Sequence, residues 1–368
     1  MSLLKFAVAA LAVCAPQSAI SSATPRSQGL RLIKTSESDA GTWMSTAQRL
    51  ALIKSDSGFI DITNAKVGKT AISVQSDPKY PDSLSHVDEV NTLIKTVDMD
   101  QPKDWLEHLS SYHTRLCETK LGAEAGNWLY DTIKQIGSVN EAFTVEQIKH
   151  PDYPQKSIIA RIPGESDNLV IVGAHFDSVN QEGANETAPG ADDNASGSVT
   201  ILEALRVLVG AGFTPKNTLE FHWYAAEELG LIGSREIWAD YKAKGKSVVS
   251  YVNQDMTGYQ PSGTPCVITD NTHKGLTEYV KLLVTEYTGK APNTDACGYA
   301  CSDHASVTEN GFPAAFLFED LNDKSSLNIH TEWDTPDLIQ WDAVERHIKF
   351  SIGYLVEASY LDATKAHA

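Results

Sequence analysis

Apolar residues recur at every third or fourth position in three stretches that begin near residue 86. This spacing places the apolar side chains on one face of a helix. We therefore predict three helices ahead of the main sheet, at residues 87–97, 105–114 and 123–136.

From residue 157 onward, short apolar runs alternate with further helical patterns. Two of the runs, NLVIVGAHF and TLEFHWYAA, are almost continuously apolar, which is typical of strands covered on both faces. Alternating strands and helices favour a parallel sheet between helix layers. We predict the α/β class: a three-layer α/β/α sandwich with a mostly parallel, mixed central sheet. The predicted strands are 157–162, 169–174, 219–225, 248–255, 266–269 and 314–318, and the helices are 196–210, 234–244, 274–288 and 341–361.

The first 79 residues lack strong periodicity and differ in composition from the rest of the chain. Lys5 and the apolar run at 6–15 are typical of a secretory signal peptide, although a buried first element of a cytosolic protein is the alternative. The run is too short to span a bilayer. We expect a signal peptide at 1–19, a pro-segment at 20–79 and one catalytic domain at 80–368. This division implies a secreted, extracellular protein without a membrane anchor.

The charge distribution narrows the choice of partners. The chain of 368 residues carries a net charge of −18, which argues against nucleic acid and anionic membranes as partners. Residues 1–79 hold nine Lys and Arg against five Asp and Glu, a net charge of +4, which leaves −22 for the rest. We expect the pro-segment to dock on the catalytic domain as a folding aid or an inhibitor, the alternative being a flexible extension.

Cysteine usage agrees with secretion. Cys14 belongs to the expected signal peptide, and an even number of cysteines remains. The spacing of Cys297 and Cys301 in CGYAC is compatible with a local disulfide, and a zinc site is the weaker alternative because no second pair accompanies it. Pairing of Cys117 with Cys266 stays open. Asn185 begins NET, a possible glycosylation sequence.

Potential metal ligands follow several of the predicted strands or lie in adjoining loops. Ligand sites in open α/β sheets form where strands end. A spare carboxylate, Glu227, precedes one of the ligands. Such a set suggests two metal ions that share a carboxylate, with a general base beside them, and therefore metal-assisted hydrolysis. The five ligand candidates are His175, Asp193, Glu228, Asp255 and His330.

No single candidate is decisive on its own. His175 at a strand end could be structural, and Asp193 or Asn194 could simply cap the following helix. Chemistry alone does not separate Asp192 from Asp193. Asp177 is well placed to accept a hydrogen bond from the second ring nitrogen of His175, which would orient the ring.

The order of the motifs carries more weight than any one of them. GAHFDS, PGADDNASG, AAEELG, the aspartate of NQDM, CGYACSDHAS and IHTEWDT succeed one another from about residue 175 to residue 335. This series resembles the secreted two-zinc aminopeptidases of the bacterial and fungal leucyl aminopeptidase family. The resemblance extends from about residue 80 to the C-terminus.

The resemblance implies a ligand set for two Zn²⁺ ions per chain. His175 and Asp255 would hold one zinc ion, Glu228 and His330 would hold the other, and Asp193 would bridge them. The family pattern selects Asp193 over Asp192 as the bridge, and it implies a cis peptide bond after Asp193.

The resemblance also implies catalytic roles and a substrate class. Glu227 matches the general base, Asp177 the carboxylate that orients a ligand, and Tyr299 the tyrosine that donates to the developing oxyanion. The expected activity is release of N-terminal residues, preferably leucine or other apolar ones, from peptides with a free N-terminus. We expect a monomer. The pocket candidates are Met256, Phe316, Phe318, Leu321 and Ile329, and the stretch before His330 has fewer aromatic residues than the family pattern.

Two alternatives to an aminopeptidase remain open. A glutaminyl cyclase shares the fold and the ligand order but uses a single zinc ion. A noncatalytic binding ectodomain of the same fold typically loses ligands or the base, whereas this chain retains all five ligands and Glu227. The CGYAC motif and the pro-segment favour the aminopeptidase.

Overall fold

The computed structural model describes residues 24–64 and 79–362, so the expected signal peptide lies outside the described residues. Within these ranges the chain forms an eight-stranded mixed sheet covered by helices. The helix α1 (Thr46–Lys54) belongs to the N-terminal part of the chain. The three helices expected ahead of the main sheet are confirmed as α2 (Val87–Ile94), α3 (Asp100–Ser110) and α4 (Lys120–Gly137).

The main sheet and its helices occur in the order that the sequence pattern predicts. The strands of this sheet are β4 (Thr144–Ile148), β5 (Ser157–Ile162), β6 (Ser166–His175), β7 (Asn217–Tyr224), β8 (Val248–Gln254), β9 (Cys266–Ile268), β10 (Asn293–Asp295) and β11 (Ala314–Phe318). The helices are α5 (Gly197–Gly210), α6 (Ile232–Ala243), α7 (Lys274–Thr288), α8 (His304–Glu309) and α9 (Trp341–Ser359).

The strand order is β10-β9-β11-β8-β6-β7-β5-β4. The pairs β10/β9, β11/β8, β8/β6 and β6/β7 are parallel, and the other three are antiparallel. Parallel strands buried on both faces explain the continuous apolar runs in β6 and β7. The expected mostly parallel, mixed sheet is therefore confirmed.

Neighbouring side chains of a strand point to opposite faces of the sheet, and each face has its own core. Ile158 and Val170 pack in the larger core, which includes residues of α5, α7 and α9. Ile159 and Ile171 pack in a second core with Trp238 of α6. The two cores lie on opposite sides of the sheet, which confirms the three-layer α/β/α arrangement.

Two strands of the sheet and one short helix are not predicted by the sequence pattern. The strand β4 is an antiparallel edge strand whose residues are all exposed or half-buried, so its sequence lacks an apolar run. The strand β10 has three residues at the opposite edge, and α8 has six residues. Elements this short or this exposed bury too few apolar side chains to leave a periodic pattern.

Residues 24–64, here called the N-terminal segment, fold against the main domain. They form the small antiparallel sheet β1 (Arg31–Lys34), β2 (Thr42–Met44) and β3 (Ile60–Asp61), together with the helix α1. A capping box between Ser45 and Gln48 starts this helix. Its Leu50 is buried in a cluster with residues of the main domain, Leu116 and Leu229 among them.

Basic residues of the N-terminal segment meet acidic residues of the main domain. Arg31 pairs with Asp152, and the fully buried Arg49 lies 2.7 Å from Glu118. The hydroxyl oxygen of Tyr153 accepts a hydrogen bond from Nη1 of Arg49 at 3.3 Å. The segment is therefore attached by both apolar burial and ion pairs.

The described residues include four cysteines. Cys297 and Cys301 form a disulfide, as the spacing suggested. Cys117 and Cys266 are both buried as free thiols, so they do not pair with each other. Among the helices of residues 24–64 and 79–362, none has the length and apolarity needed to cross a membrane.

Candidate metal centre

The chemistry-bearing side chains meet at the carboxyl ends of three adjacent parallel strands. His175 is the last residue of β6, and Asp255 directly follows β8. Glu227 and Glu228 follow β7 after a two-residue turn that includes Ala226 with φ 59°. Because β6 lies between β7 and β8, these loops converge at one edge of the sheet.

Two groups of three side chains lie close enough to hold a metal ion, and they share one residue. His175, Asp193 and Asp255 form the first group, with ligand atoms within 4.8 Å of one another. Asp193, Glu228 and His330 form the second by the same measure. The shared Asp193 therefore lies between the two groups.

The atoms of Asp193 face both histidines. Its Oδ1 lies 3.1 Å from Nε2 of His175, and its Oδ2 lies 2.9 Å from Nε2 of His330. The same Nε2 of His175 is 3.2 Å from Asp255, and that of His330 is 3.2 Å from Glu228. Each histidine thus points one ring nitrogen at two carboxylates.

The donor set fits divalent zinc. Imidazole nitrogens and carboxylate oxygens are the ligands that zinc accepts in hydrolytic sites. Asp193, Glu228 and Asp255 are each less than a tenth exposed, and carboxylates clustered in this way are costly to bury without a cation. Within the described residues, Oε1 of Glu228 is buried and has no hydrogen-bond partner, so it retains a free lone pair.

Asp192 and Asp193 differ in surroundings although they are neighbours. Oδ1 of Asp192 accepts the backbone N–H of Gly258 at 2.9 Å, away from both histidines. Burial raises the pKa of Asp192 to about 7. Burial opposes ionisation of Asp193 as well, but the hydrogen bonds from His175 and His330 outweigh it and lower its pKa. The peptide bond between Asp193 and Asn194 is cis, as the resemblance implies.

Asp177 contacts more of the site than the sequence suggested. Its Oδ1 lies 3.4 Å from Nδ1 of His175, on the side of the ring that faces away from the other carboxylates. The carboxylate also accepts the backbone N–H groups of Glu227 at 3.1 Å and Glu228 at 3.3 Å. Asp177 therefore links the end of β6 to the loop that carries both glutamates.

Glu227 and Tyr299 line the same cleft, which has a volume of about 770 Å³. Burial raises the pKa of Glu227 well above the ordinary value, against the opposing charge of His175. Burial and the charge of Glu227 raise the pKa of Tyr299 to about 12, so its hydroxyl stays protonated at neutral pH. Tyr299 lies between the two disulfide-bonded cysteines, and its residue is 45% exposed.

The five apolar pocket candidates fall into one cluster beside the cleft. Met256, Phe316 and Phe318 are buried there, and Leu321 and Ile329 pack against them. All except Leu321 also line the cleft. The rings of Phe316 and Phe318 meet edge to face, with centroids 5.6 Å apart. One wall of the cleft is therefore apolar.

The N-terminal segment supplies another wall of the cleft. Lys54, Gly58 and Phe59 are among its lining residues. An ideal Cβ built on Gly58 would lie only 2.1 Å from Cδ2 of Tyr299, so the backbone of the segment rests on the tyrosine ring. Beside it, Nζ of Lys54 pairs with Glu182 at 2.7 Å.

Three further residues hold the site, and sequence reasoning did not find them. Ser302 donates to Oδ2 of Asp255 at 2.5 Å. Asp334 accepts backbone N–H groups from the turn that carries Asp193, and Arg115 donates to carbonyl oxygens of the same turn. Ser302 and Asp334 lie in motifs already singled out, which was the available signal, whereas the motif series holds no signal for Arg115.

The fold and the paired ligand groups define a metal-dependent hydrolase. Residues 157–355 match the family model described as "Peptidase family M28". The chain belongs to peptidase family M28, and it is a metallo-exopeptidase of the aminopeptidase type.

Relatives and solved structures agree with this assignment. The chain is 39% identical over 358 residues to a probable leucine aminopeptidase of Trichophyton verrucosum, covering 96% of this chain and 97% of that protein. The LapA aminopeptidase of Legionella pneumophila superposes with a TM-score of 0.80 at 28% identity, covering 90% and 94% of the two chains. The resemblance to fungal leucyl aminopeptidases is thereby confirmed.

A glutaminyl cyclase of Porphyromonas gingivalis shares the fold. It superposes with a TM-score of 0.60 at 21% identity and covers 70% of this chain and 98% of its own. At this identity the similarity concerns the fold alone.

Proposed function

We propose that this protein is a secreted aminopeptidase that uses two zinc ions to release leucine or other apolar residues from the N-termini of peptides. One observation carries the proposal: two groups of metal-ligand side chains share Asp193 and lie beside Glu227. The relatives named as leucine aminopeptidases support the choice of leucine.

The ligand assignment follows the two groups. His175 and Asp255 would hold one zinc ion, Glu228 and His330 the other, and Asp193 both. When bound, zinc lowers the pKa of a water molecule and polarises the scissile carbonyl.

The remaining steps belong to side chains of the cleft. Glu227 accepts the proton of the attacking water and passes it to the leaving amine. Asp177 holds the backbone of Glu227, which keeps the base at the edge of the ligand groups. Tyr299 donates its hydroxyl proton in a hydrogen bond to the oxyanion as it develops.

The cleft also suggests how a substrate is chosen. Asp193, Glu227 and Asp255 supply polar groups to the lining of the cleft, which suit the free amino group of a peptide N-terminus. The wall formed by Met256 and Phe318 favours an apolar first side chain. Together they favour an exopeptidase that prefers leucine and similar residues.

The N-terminal segment is proposed to inhibit the enzyme until it is removed. It lines the cleft, rests on Tyr299 through Gly58, and is fixed by the pairs of Arg31 with Asp152 and Arg49 with Glu118. Its removal would expose more of Tyr299, the proposed oxyanion donor. The boundary proposed for this pro-segment is residues 20–79, and we propose that the processed enzyme is a monomer.

Secretion is proposed from the N-terminal sequence and is supported by two features of the folded domain. The disulfide between Cys297 and Cys301 suits an oxidising compartment. Asn185 is exposed and is followed by Thr187, so it could carry a glycan, whereas Asn194 is fully buried.

The proposal is tested by counting metal ions and comparing substrates. We expect two zinc ions per chain by elemental analysis, loss of activity on chelation and recovery on adding zinc. We expect release of leucine from a chromogenic leucine amide and no release from the same amide acetylated on its α-nitrogen. A single zinc ion together with cyclisation of N-terminal glutamine would show a glutaminyl cyclase instead.

A further inference from the structure

Arg115 is fully buried and directs its guanidinium to backbone oxygens. Its Nε donates to the carbonyl oxygen of Phe176 at 2.7 Å, and Nη2 donates to that of Gly190 at 2.8 Å. Nη1 donates to the carbonyl oxygens of Pro189 and of Leu109, the latter at 3.1 Å. An arginine is rarely buried in full, so this arrangement requires an explanation.

The carbonyl groups that Arg115 binds flank the proposed metal ligands. Phe176 stands between His175 and Asp177, and Gly190 opens the turn that leads to Asp193. Gly190 has φ 53°, and a Cβ there would come within 2.8 Å of Nη2 of Arg115. The close approach of this turn to the guanidinium therefore depends on a glycine. Arg115 ties the end of β6 to the turn at residues 189–193.

Asp334 holds the same turn by accepting hydrogen bonds from its backbone N–H groups, whereas Arg115 donates to its carbonyl groups. Its Oδ1 accepts the backbone N–H of Asp192 at 2.9 Å, and its Oδ2 accepts that of Asp193 at 3.0 Å. The carbonyl oxygen of Asp334 accepts the N–H of Ala191 at 3.1 Å. Asp334 is 1% exposed and lies four residues after His330. Three consecutive N–H groups of the turn are thus bound by one residue.

We propose that Arg115 and Asp334 are positioning residues that clamp the turn at 189–193 and thereby aim the carboxylate of Asp193 at both histidines. Arg115 binds the carbonyl groups at the start of the turn, and Asp334 binds the N–H groups at its end. Residues that hold a ligand in this way set its orientation and hence the affinity for the metal. The inference rests on the proposed function, because it assigns Asp193 to the metal ions.

The test compares Asp334 with a second buried carboxylate. Glu357 is the matched control, because it also accepts two consecutive backbone N–H groups, those of Ser85 at 3.1 Å and His86 at 2.9 Å. The variants are Asp334→Asn and Glu357→Gln. Each amide leaves one backbone N–H facing an NH₂ group, so both variants should lower the melting temperature of the metal-free protein.

Zinc affinity separates a positioning role from a structural one. Zinc dissociation constants are measured by competition with a chelator of known affinity. We expect Asp334→Asn to weaken zinc binding by roughly 10- to 100-fold and Glu357→Gln to leave it unchanged. Unchanged zinc affinity in a folded Asp334→Asn protein would overturn the proposal.

Arg115→Lys provides a second test that does not depend on folding of the Asp334 variant. Lysine keeps the positive charge, but its single nitrogen cannot span the carbonyl groups of Phe176 and Gly190 together. We expect the same direction of change in zinc affinity, and tight binding by this variant would contradict the clamp. If the unaltered chain binds no zinc, the proposed function fails. If it binds zinc, and Asp334→Asn and Arg115→Lys bind zinc as tightly as the unaltered chain, only the clamp fails.

Discussion

Gly58 of the N-terminal segment rests on the ring of Tyr299, with no room for a side chain between them. A Cβ at Gly58 would lie 2.1 Å from Cδ2 and 2.6 Å from Cγ of the tyrosine. The side chain proposed to stabilise the oxyanion is thus partly covered by backbone from the same chain. Inhibition by the N-terminal segment can therefore be tested at a single position.

The variant Gly58→Val should activate the enzyme while the segment is still attached. Overpacking of this kind costs about 1 to 3 kcal/mol, which shifts the balance between covered and uncovered cleft by roughly 5- to 150-fold. The measurement is hydrolysis of a leucine amide by the unprocessed chain. Gly210→Val is the control, since a Cβ at Gly210 meets nothing within 4 Å.

Processing supplies an internal check on this prediction. Once the segment has been removed, parent and Gly58→Val enzymes have the same sequence and should have the same activity. An unprocessed parent as active as the processed enzyme would show that the segment does not inhibit.

The hydroxyl of Tyr299 is predicted to act in the transition state. Tyr299→Phe keeps the ring that packs under Gly58 and removes only the donor. We expect kcat to fall by roughly 10²- to 10³-fold, as for the loss of one oxyanion donor, with KM and zinc content little changed. Tyr259→Phe is a control at a half-buried tyrosine that does not line the cleft. A normal kcat in Tyr299→Phe would remove this residue from the mechanism.

Glu227 is predicted to transfer the proton without being needed for metal binding. Glu227→Gln preserves the size of the side chain but not its basicity, so we expect kcat to fall by roughly 10²- to 10⁴-fold. Zinc content should stay the same, because Glu227 belongs to neither ligand group. Glu186→Gln, at an exposed loop position, serves as the control. Wild-type hydrolysis by a zinc-loaded Glu227→Gln enzyme would refute its assignment as the base.

The apolar wall of the cleft is predicted to select the side chain of the first residue. Phe318→Ala removes a ring from this wall, and we expect kcat/KM for leucine amides to fall by roughly 10- to 200-fold. Phenylalanine amides should lose less, because the larger side chain fills part of the space. Phe312→Ala is the matched control, since Phe312 is similarly buried but packs on Trp238 in another core. Equal losses for both substrates would show that Phe318 has only a structural role.

The sequence predicts those parts of the molecule that leave a local pattern. Helical periodicity reveals α2 to α4, and continuous apolar runs reveal β6 and β7, whose ends carry His175 and lead to Glu227. The edge strands β4 and β10 leave no such pattern, because one of them is half-exposed and the other has three residues. The small sheet of the N-terminal segment leaves no such pattern either, because its strands have only four, three and two residues.

The site residues also divide into those that a local sequence motif reveals and those that it does not. Side chains that would meet the metal or the substrate belong to motifs, so their chemistry is visible in the sequence. Residue type alone does not separate Asp192 from Asp193, and the family pattern selects Asp193. The physical difference between the two is visible only in three dimensions, because it depends on the N–H of Gly258 and on both histidines. Arg115 binds the carbonyl groups of Phe176, Pro189 and Gly190, which are distant from it in sequence. Because every residue has a backbone carbonyl group, the residue types do not identify these partners.

A buried histidine is predicted to make the stability of the protein sensitive to acid. His347 is fully buried in α9 and donates from Nδ1 to Oε1 of Gln254 at 2.7 Å. Burial, together with the charge of Arg346, lowers its pKa from the ordinary 6.5 to about 3. Between these two values the unfolded chain binds a proton at this position and the folded chain does not. The free energy of unfolding therefore falls as the pH drops below 6.5.

The variant His347→Asn isolates this contribution, because asparagine can keep the hydrogen bond to Gln254 but does not titrate. Well below pH 6.5 and above pH 3, one such group changes the free energy of unfolding by about 1.4 kcal/mol per pH unit. Urea unfolding at pH 7, 6 and 5 should show that the free energy of unfolding falls less with decreasing pH in this variant than in the parent. This holds even if the variant is less stable than the parent at pH 7. His113→Asn, at an exposed position, should retain the parent's slope. Equal slopes for parent and His347→Asn would mean that His347 is protonated in the folded protein despite its burial.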